Sequence, residues 1–141
     1  MLDAEIEIPG PPKAQPRHRY RRQGRKTISY DPASKDKKQV RLVIASQWSR
    51  APLKGAISMI VTFYCDRPKS HYRTGRHSNE LKKDAPVVKT TKPDVDNYVK
   101  FYMDCGKNIL WNDDAQVVRI EAWKVYVDNN GPRTEMEIWE V

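Results

Sequence analysis

The chain has 141 residues, enough to close one hydrophobic core without cross-links. Its 26 Lys+Arg outnumber 18 Asp+Glu for a formal net charge of +8, a balance that points to a polyanionic partner. Cys65 and Cys105 stand far apart in no CxxC or Cys/His spacing, and no apolar run nears the ~20 residues of a membrane span, which excludes a disulfide framework, a zinc site and a transmembrane segment.

The N-terminus lacks a basic segment followed by an apolar one, so a cytoplasmic protein is expected, with no export and no membrane partner. Ala4-Glu5-Ile6-Glu7-Ile8 alternates with period two, as a strand with one buried face does, and Pro9-Gly10-Pro11-Pro12 stops it. Residues 13 to 26 carry Lys13, Arg17, Arg19, Arg21, Arg22, Arg25 and Lys26 with no apolar periodicity, and are expected to form an exposed basic loop. Asp31-Pro32 is a suitable helix start, and Val40, Val43, Ile44 and Trp48 recur at helical spacing until Pro52 and Gly55. The opposite face of that helix carries Lys35, Lys38 and Arg41.

Ala56 to Tyr64 reads as the strongest strand, apolar on both faces and therefore central in its sheet. Residues 66 to 92 form a second basic loop, carrying Lys69, Arg73 and Arg76 among others, too long for a tight connection and expected to be mobile until bound. After Pro93 a helix is predicted, with Val95, Val99, Tyr102, Met103 and Gly106 as its core stripe and Asp96, Lys100 and Asp104 on another face. Val117 to Val127 is strand-like but changes parity near Ala122, which predicts a bulge or an edge exchange there. Asp128 to Pro132 suits a hairpin turn, and Met136 and Ile138 alternate with glutamates in a last strand. The order predicts an α+β fold, one domain over residues 1–141, with two main helices packed on a mixed β-sheet.

The chemistry concentrates around the second helix. Asp94-Val95-Asp96-Asn97 opens it directly after a basic loop, and Asp113-Asp114 follows its end. Carboxylates at a loop–helix boundary can hold Mg²⁺ while leaving room for water and a phosphate oxygen. Each motif has a plainer reading, because Asp before a helix is commonly a cap and Asp-Asp before a strand commonly a turn. The surroundings favour the metal: mutually repelling carboxylates in a protein built to attract anions are a conflict that bound cations resolve. Lys100 fits either an i,i+4 pair with Asp96 or a contact to the scissile phosphate. Tyr20, Tyr30 and Tyr72 are candidates for base stacking or for local packing, and Trp48, Trp123 and Trp139 for the core or an interface.

The run Lys92-Pro93-Asp94-Val95-Asp96-Asn97-Tyr98-Val99-Lys100, then Asp104, then Trp111-Asn112-Asp113-Asp114-Ala115-Gln116-Val117, resembles the RusA family of Holliday junction resolvases. Pro12-Lys13-Ala14-Gln15-Pro16-Arg17 is similar to the N-terminal block of its phage-encoded members, and Arg67-Pro68-Lys69-Ser70-His71-Tyr72 to one of their loops. The resemblance spans most of the chain, although its specificity resides in residues 92 to 117. It implies Asp94, Asp96 and Asp114 as catalytic metal ligands, Asp113 as a weaker fourth ligand and Lys100 as the essential lysine. It also implies a homodimer that resolves four-way branched DNA by paired symmetric nicks with Mg²⁺, or Mn²⁺ in its place, and no small-molecule cofactor. A bacterial cell, with a phage origin open, is the implied setting. Lys13, Arg17, Arg19, Arg21, Arg22, Lys69, Arg73 and Arg76 are then the expected DNA contacts. The alternatives are a non-catalytic protein that binds branched DNA and a structural module that binds RNA.

Overall fold

The computed structural model describes residues 2–141. Six strands, β1 (Ala4–Pro9), β2 (Arg19–Gln23), β3 (Lys26–Tyr30), β4 (Ile57–Cys65), β5 (Val117–Tyr126) and β6 (Arg133–Glu140), join helices α1 (Ser34–Ser46) and α2 (Val95–Gly106) in an α+β fold. The main sheet runs β1-β6-β4-β5, with β4 parallel to β5 and the other neighbours antiparallel. Cross-strand register aligns Ile6, Met136 and Val61 on one face, which the helices cover, while Glu5, Glu7, Glu135 and Glu137 line the solvated face. β4 is central, as its two apolar faces require: Ile57, Met59, Val61 and Phe63 are buried under the helices.

The rotation of α2 is set by aromatic packing. Phe63 stacks on Tyr98 with ring centroids 4.8 Å apart and lies 5.6 Å from the Tyr102 ring. Tyr98, Phe101, Tyr102, Cys105 and Gly106 form the buried stripe of α2; of the expected stripe, Tyr102 and Gly106 lie on it, Val99 and Met103 are partly buried against the core and Val95 is exposed. Both stripes satisfy helical spacing, but the aromatic one buries more apolar area and so wins.

Other expectations need correction. The first basic loop contains a β2–β3 hairpin that pairs Arg19 with Tyr30 and Gln23 with Lys26. Its turn uses Gly24 at a φ of +63°, and its strands are exposed and polar, so no apolar alternation marks them. Arg41 is not on a bare face, since its guanidinium donates to the carbonyls of Asp104, Cys105 and Lys107 and so ties α1 to the end of α2. The register irregularity of β5 lies opposite Ile57/Ser58, near Val118 and away from Ala122. The parity change arises because β5 is an edge strand with apolar residues on both faces. Asp128 to Pro132 turns the chain, but β4 separates β5 from β6, so the turn does not close a hairpin. The second basic loop has hydrogen bonds of its own, from Arg73 N to Glu80 O and from Lys82 N to His71 O.

Phe63 links the central strand to α2, so Phe63→Ala should lower stability by about 3–5 kcal/mol, measured by urea unfolding.

Candidate active site

α2 begins where the chain leaves an extended segment. Asp94 occupies the N-cap position with a φ of −68° and a ψ of 148°, yet its carboxylate makes no capping hydrogen bond; only its backbone carbonyl accepts, from the amides of Asn97 and Tyr98. The plain capping role does not account for the Asp94 side chain. The ammonium of Lys124, on β5, donates to the carbonyls of Thr91 and Pro93 at 2.7 and 2.6 Å, which fixes the approach to the helix. No pattern in the sequence marks Lys124 for this task.

The Asp113-Asp114 pair divides its labour. Asp113 caps a short 3-10 turn over Asp114–Gln116, accepting from the Ala115 amide. Gln116 completes the box, accepting from the amides of Asn112 and Asp113 and donating to the carbonyls of Leu53 and Gly55. Asp114 instead accepts a 2.9 Å bond from the indole of the fully buried Trp111, a spacing of three residues that is legible as a local pair. One carboxylate oxygen is thereby anchored and the other left available.

Asp96, Lys100, Asp104 and Asp114 line one open cavity of about 390 Å³, with Val99, Met103 and Ala122 as its apolar side. Asp94 stands exposed at the helix entrance, outside that lining, and Asp113 is outside it too. Among the described residues no three His, Cys, Asp or Glu side chains form a group able to enclose an ion. Mg²⁺ does not require one, because it keeps several waters and takes one or two protein carboxylates together with substrate phosphate oxygens. Asp96 and Asp114 meet that requirement, both presenting hard oxygen donors to the same space. Lys100 makes no ion pair with Asp96 or Asp104 among the described residues, so the i,i+4 pairing reading fails.

Asp104 has a partner of another kind. Lys37 of α1 bridges Asp31 and Asp104, the latter at 2.9 Å, and Gln15 and the Ala33 amide also donate to Asp31. Burial alone pushes the Asp31 carboxyl up, but hydrogen bonds from Lys37, Ala33 and Gln15 outweigh it and hold it at about 2. The same two carboxylates raise the Lys37 ammonium against the opposing effect of burial. Neutralised in this way, Asp104 contributes little free charge to the cavity. Lys13 N donates to the Tyr102 hydroxyl and Gln15 N to the Asn97 carbonyl, so the N-terminal block lies along α2.

The side chains expected to contact DNA are all exposed. Arg17 is exposed, and Arg19, Arg21 and Arg22 lie on the β2–β3 hairpin, which pairs with no strand of the main sheet. Lys69, Arg73 and Arg76 are exposed on the second loop. Lys13 pairs with Asp36 at 3.5 Å and Arg73 with Glu80 at 2.7 Å, both at half-exposed positions where such pairs are weak enough to exchange for phosphate. Trp48 is buried, whereas Trp123 is half exposed.

An acidic cavity with a free lysine, set in a basic α+β protein, has the make-up of an enzyme acting on phosphate esters. Residues 9–139 match the endodeoxyribonuclease RusA family, and the chain belongs to it; it is a nuclease by family. It is also 38% identical over 139 residues to the uncharacterized protein YqaN of Bacillus subtilis (strain 168), covering 97% of this chain and 96% of that protein.

The Asp31 shift generates a pH dependence. A carboxylate held near 2 against an ordinary 3.8 stabilises the fold fully above about pH 4, and the contribution is lost as pH falls toward 2. In acid titrations followed by circular dichroism, wild type should lose on the order of 2 kcal/mol more across that window than Asp31→Asn.

Proposed function

We propose that this protein is a Mg²⁺-dependent endonuclease that resolves Holliday junctions, acting as a homodimer on four-way DNA. The observation that carries the reading is the one cavity lined by Asp96, from the start of α2, Asp114, from beyond its end, and Lys100, which is in no ion pair among the described residues. Asp96 and Asp114 are the principal metal ligands, Asp94 adds a carboxylate from the rim, and Asp113 is a weak fourth candidate because its side chain is occupied as a cap. When bound, Mg²⁺ lowers the pKa of water and neutralises charge on the phosphate.

The chain's own residues supply the rest. Trp111 holds the Asp114 carboxylate in one orientation, and Lys124 holds the entrance of α2, so the acids are placed before substrate arrives. Lys100 places a cation on the developing negative charge of the scissile phosphate. Lys13, Arg17, Arg19, Arg21, Arg22, Lys69, Arg73 and Arg76 bind flanking phosphates without reading sequence. Mn²⁺ should replace Mg²⁺, and no small-molecule cofactor is needed. A single domain, cytoplasmic in its bacterial host, is the form in which we expect it to work.

The test is a synthetic four-way junction incubated with purified protein, Mg²⁺ and then chelator. Paired symmetric nicks that vanish with chelator support the reading, and junction binding with no nicks under any divalent cation makes the protein a non-catalytic binder. Asp96→Asn should abolish nicking while junction affinity in gel shift stays level or improves, since negative charge beside the phosphates is removed. Trp111→Phe should reduce the nicking rate by about tenfold or more with binding unchanged, from loss of one orienting hydrogen bond. Junction affinity should fall steeply with salt, with a log–log slope that becomes shallower by about 1 for each phosphate-binding cation removed.

A further inference from the structure

The β2–β3 hairpin is clamped at its root and free along its length. Gln15 and Asp31, on either side of it in the chain, are joined by the Gln15 side-chain amide donating to the Asp31 carboxylate. Both are tied to α2, Gln15 N by donating to the Asn97 carbonyl and Asp31 through Lys37, which bridges it to Asp104. Asn97 follows Asp96 in the chain and Asp104 lines the acidic cavity, so the hairpin is rooted on the helix that carries the site. Beyond that root its strands pair only with each other.

The two faces of the hairpin differ. Alternation along the paired strands puts Arg19, Arg21, Ile28 and Tyr30 on one face. There Ile28 is partly buried and the Arg21 guanidinium lies 6.0 Å from the centroid of the Tyr30 ring. The other face carries Tyr20 and Arg22, directly opposite Ser29 and Thr27. Serine is too small to cover a ring, and Tyr20 is 69% exposed against 39% for Tyr30. Among the described residues no other ring and no cation packs on Tyr20. Local packing accounts for Tyr30 and leaves Tyr20 without a task.

We propose that Tyr20 stacks on an unpaired base at the branch point of the DNA and so selects branched over continuous duplex, an inference that rests on the junction reading above. Inside a continuous duplex each base face is covered by its neighbours, and a protein ring finds a free face only where pairing and stacking are interrupted. Phosphate contacts are common to any DNA and cannot make that distinction. The hairpin carries both kinds of group side by side: Arg19, Arg21 and Arg22 for the backbone, Tyr20 between them for the base. The reach is bounded as well. Tyr20 follows Gln15 by five residues, at most about 18 Å of extended chain, or roughly five base steps at ~3.4 Å each. The stacked base therefore lies within about five nucleotides of the backbone at the entrance of α2, so one binding event places the branch and the scissile phosphate together.

A four-way junction carrying 2-aminopurine, whose emission reports stacking, at successive positions around the branch tests this with the full chain and chelator present. Binding of wild type should change the emission at one or two positions within about five nucleotides of the nick and at none in a continuous duplex. Tyr20→Ala should abolish the change and lower the ratio of junction to duplex affinity about tenfold or more, the scale of one lost base–aromatic contact. Tyr20→Trp should restore both, whereas Arg22→Ala should weaken junction and duplex binding alike. A Tyr20→Ala ratio equal to that of wild type, emission that responds without the ring, or a Tyr20→Trp variant no better than Tyr20→Ala would overturn the proposal. An unchanged ratio in a protein that still nicks junctions defeats the stacking and leaves the function standing. Emission changes that require Tyr20 in a protein that never nicks do the reverse.

Discussion

The contact of Phe63 with Tyr98 and Tyr102 is the constraint from which the rest of the molecule follows. A helix laid on a sheet can rotate about its axis, and only side-chain packing stops it. With aromatic rings seated on β4, the Asp96–Lys100–Asp104 row cannot turn into the core, and it faces the space beside β5 where Asp114 waits. Had Val95, Val99 and Met103 been the buried stripe, the acidic row would have pointed elsewhere and Asp114 would have had no counterpart.

A molecule of net charge +8 that gathers carboxylates in one cavity must manage their repulsion. It does so unevenly. Asp104 is neutralised by Lys37, which is itself held by Asp31, so one acid of the cavity is assigned to structure. Asp113 is spent on a cap. Asp94, Asp96 and the second oxygen of Asp114 are left with no cationic partner within the protein among the described residues, and Lys100 is left without an anion. Charges that the fold leaves uncompensated are those free to act on a cation and a phosphate arriving from solution.

Much of this was legible in the sequence, and the misses share one cause. Period-two alternation marked β1, β4 and β6, and the central position of β4 followed from apolar residues on both its faces. The DxDN and W-x-D-D-x-Q-V blocks located Asp96, Lys100 and Asp114, which the fold brings together, as well as Asp94 and Asp113, which it keeps at the margin. What the sequence hid are features decided between elements: which of two apolar stripes of α2 is buried, the polar β2–β3 hairpin, the strand order that separates β5 from β6, and the side chains of Lys37, Arg41 and Lys124 that reach across to another element's carbonyls or carboxylates. Local pattern carries no information on partners that are distant in the chain.

The exposed apolar residues follow the same logic in reverse. Val95, Val118, Ile120 and Trp123 look like core positions by pattern and remain in solvent in the single chain. These four lie on α2 or on β5, the elements that build the acidic cavity, while Leu42 on α1 and Val87 in the second basic loop are exposed as well; the opposite edge is plugged by Gln47 and flanked by glutamates. The parity change that makes β5 hard to read as an ordinary half-buried strand belongs to an edge strand with apolar residues on both faces.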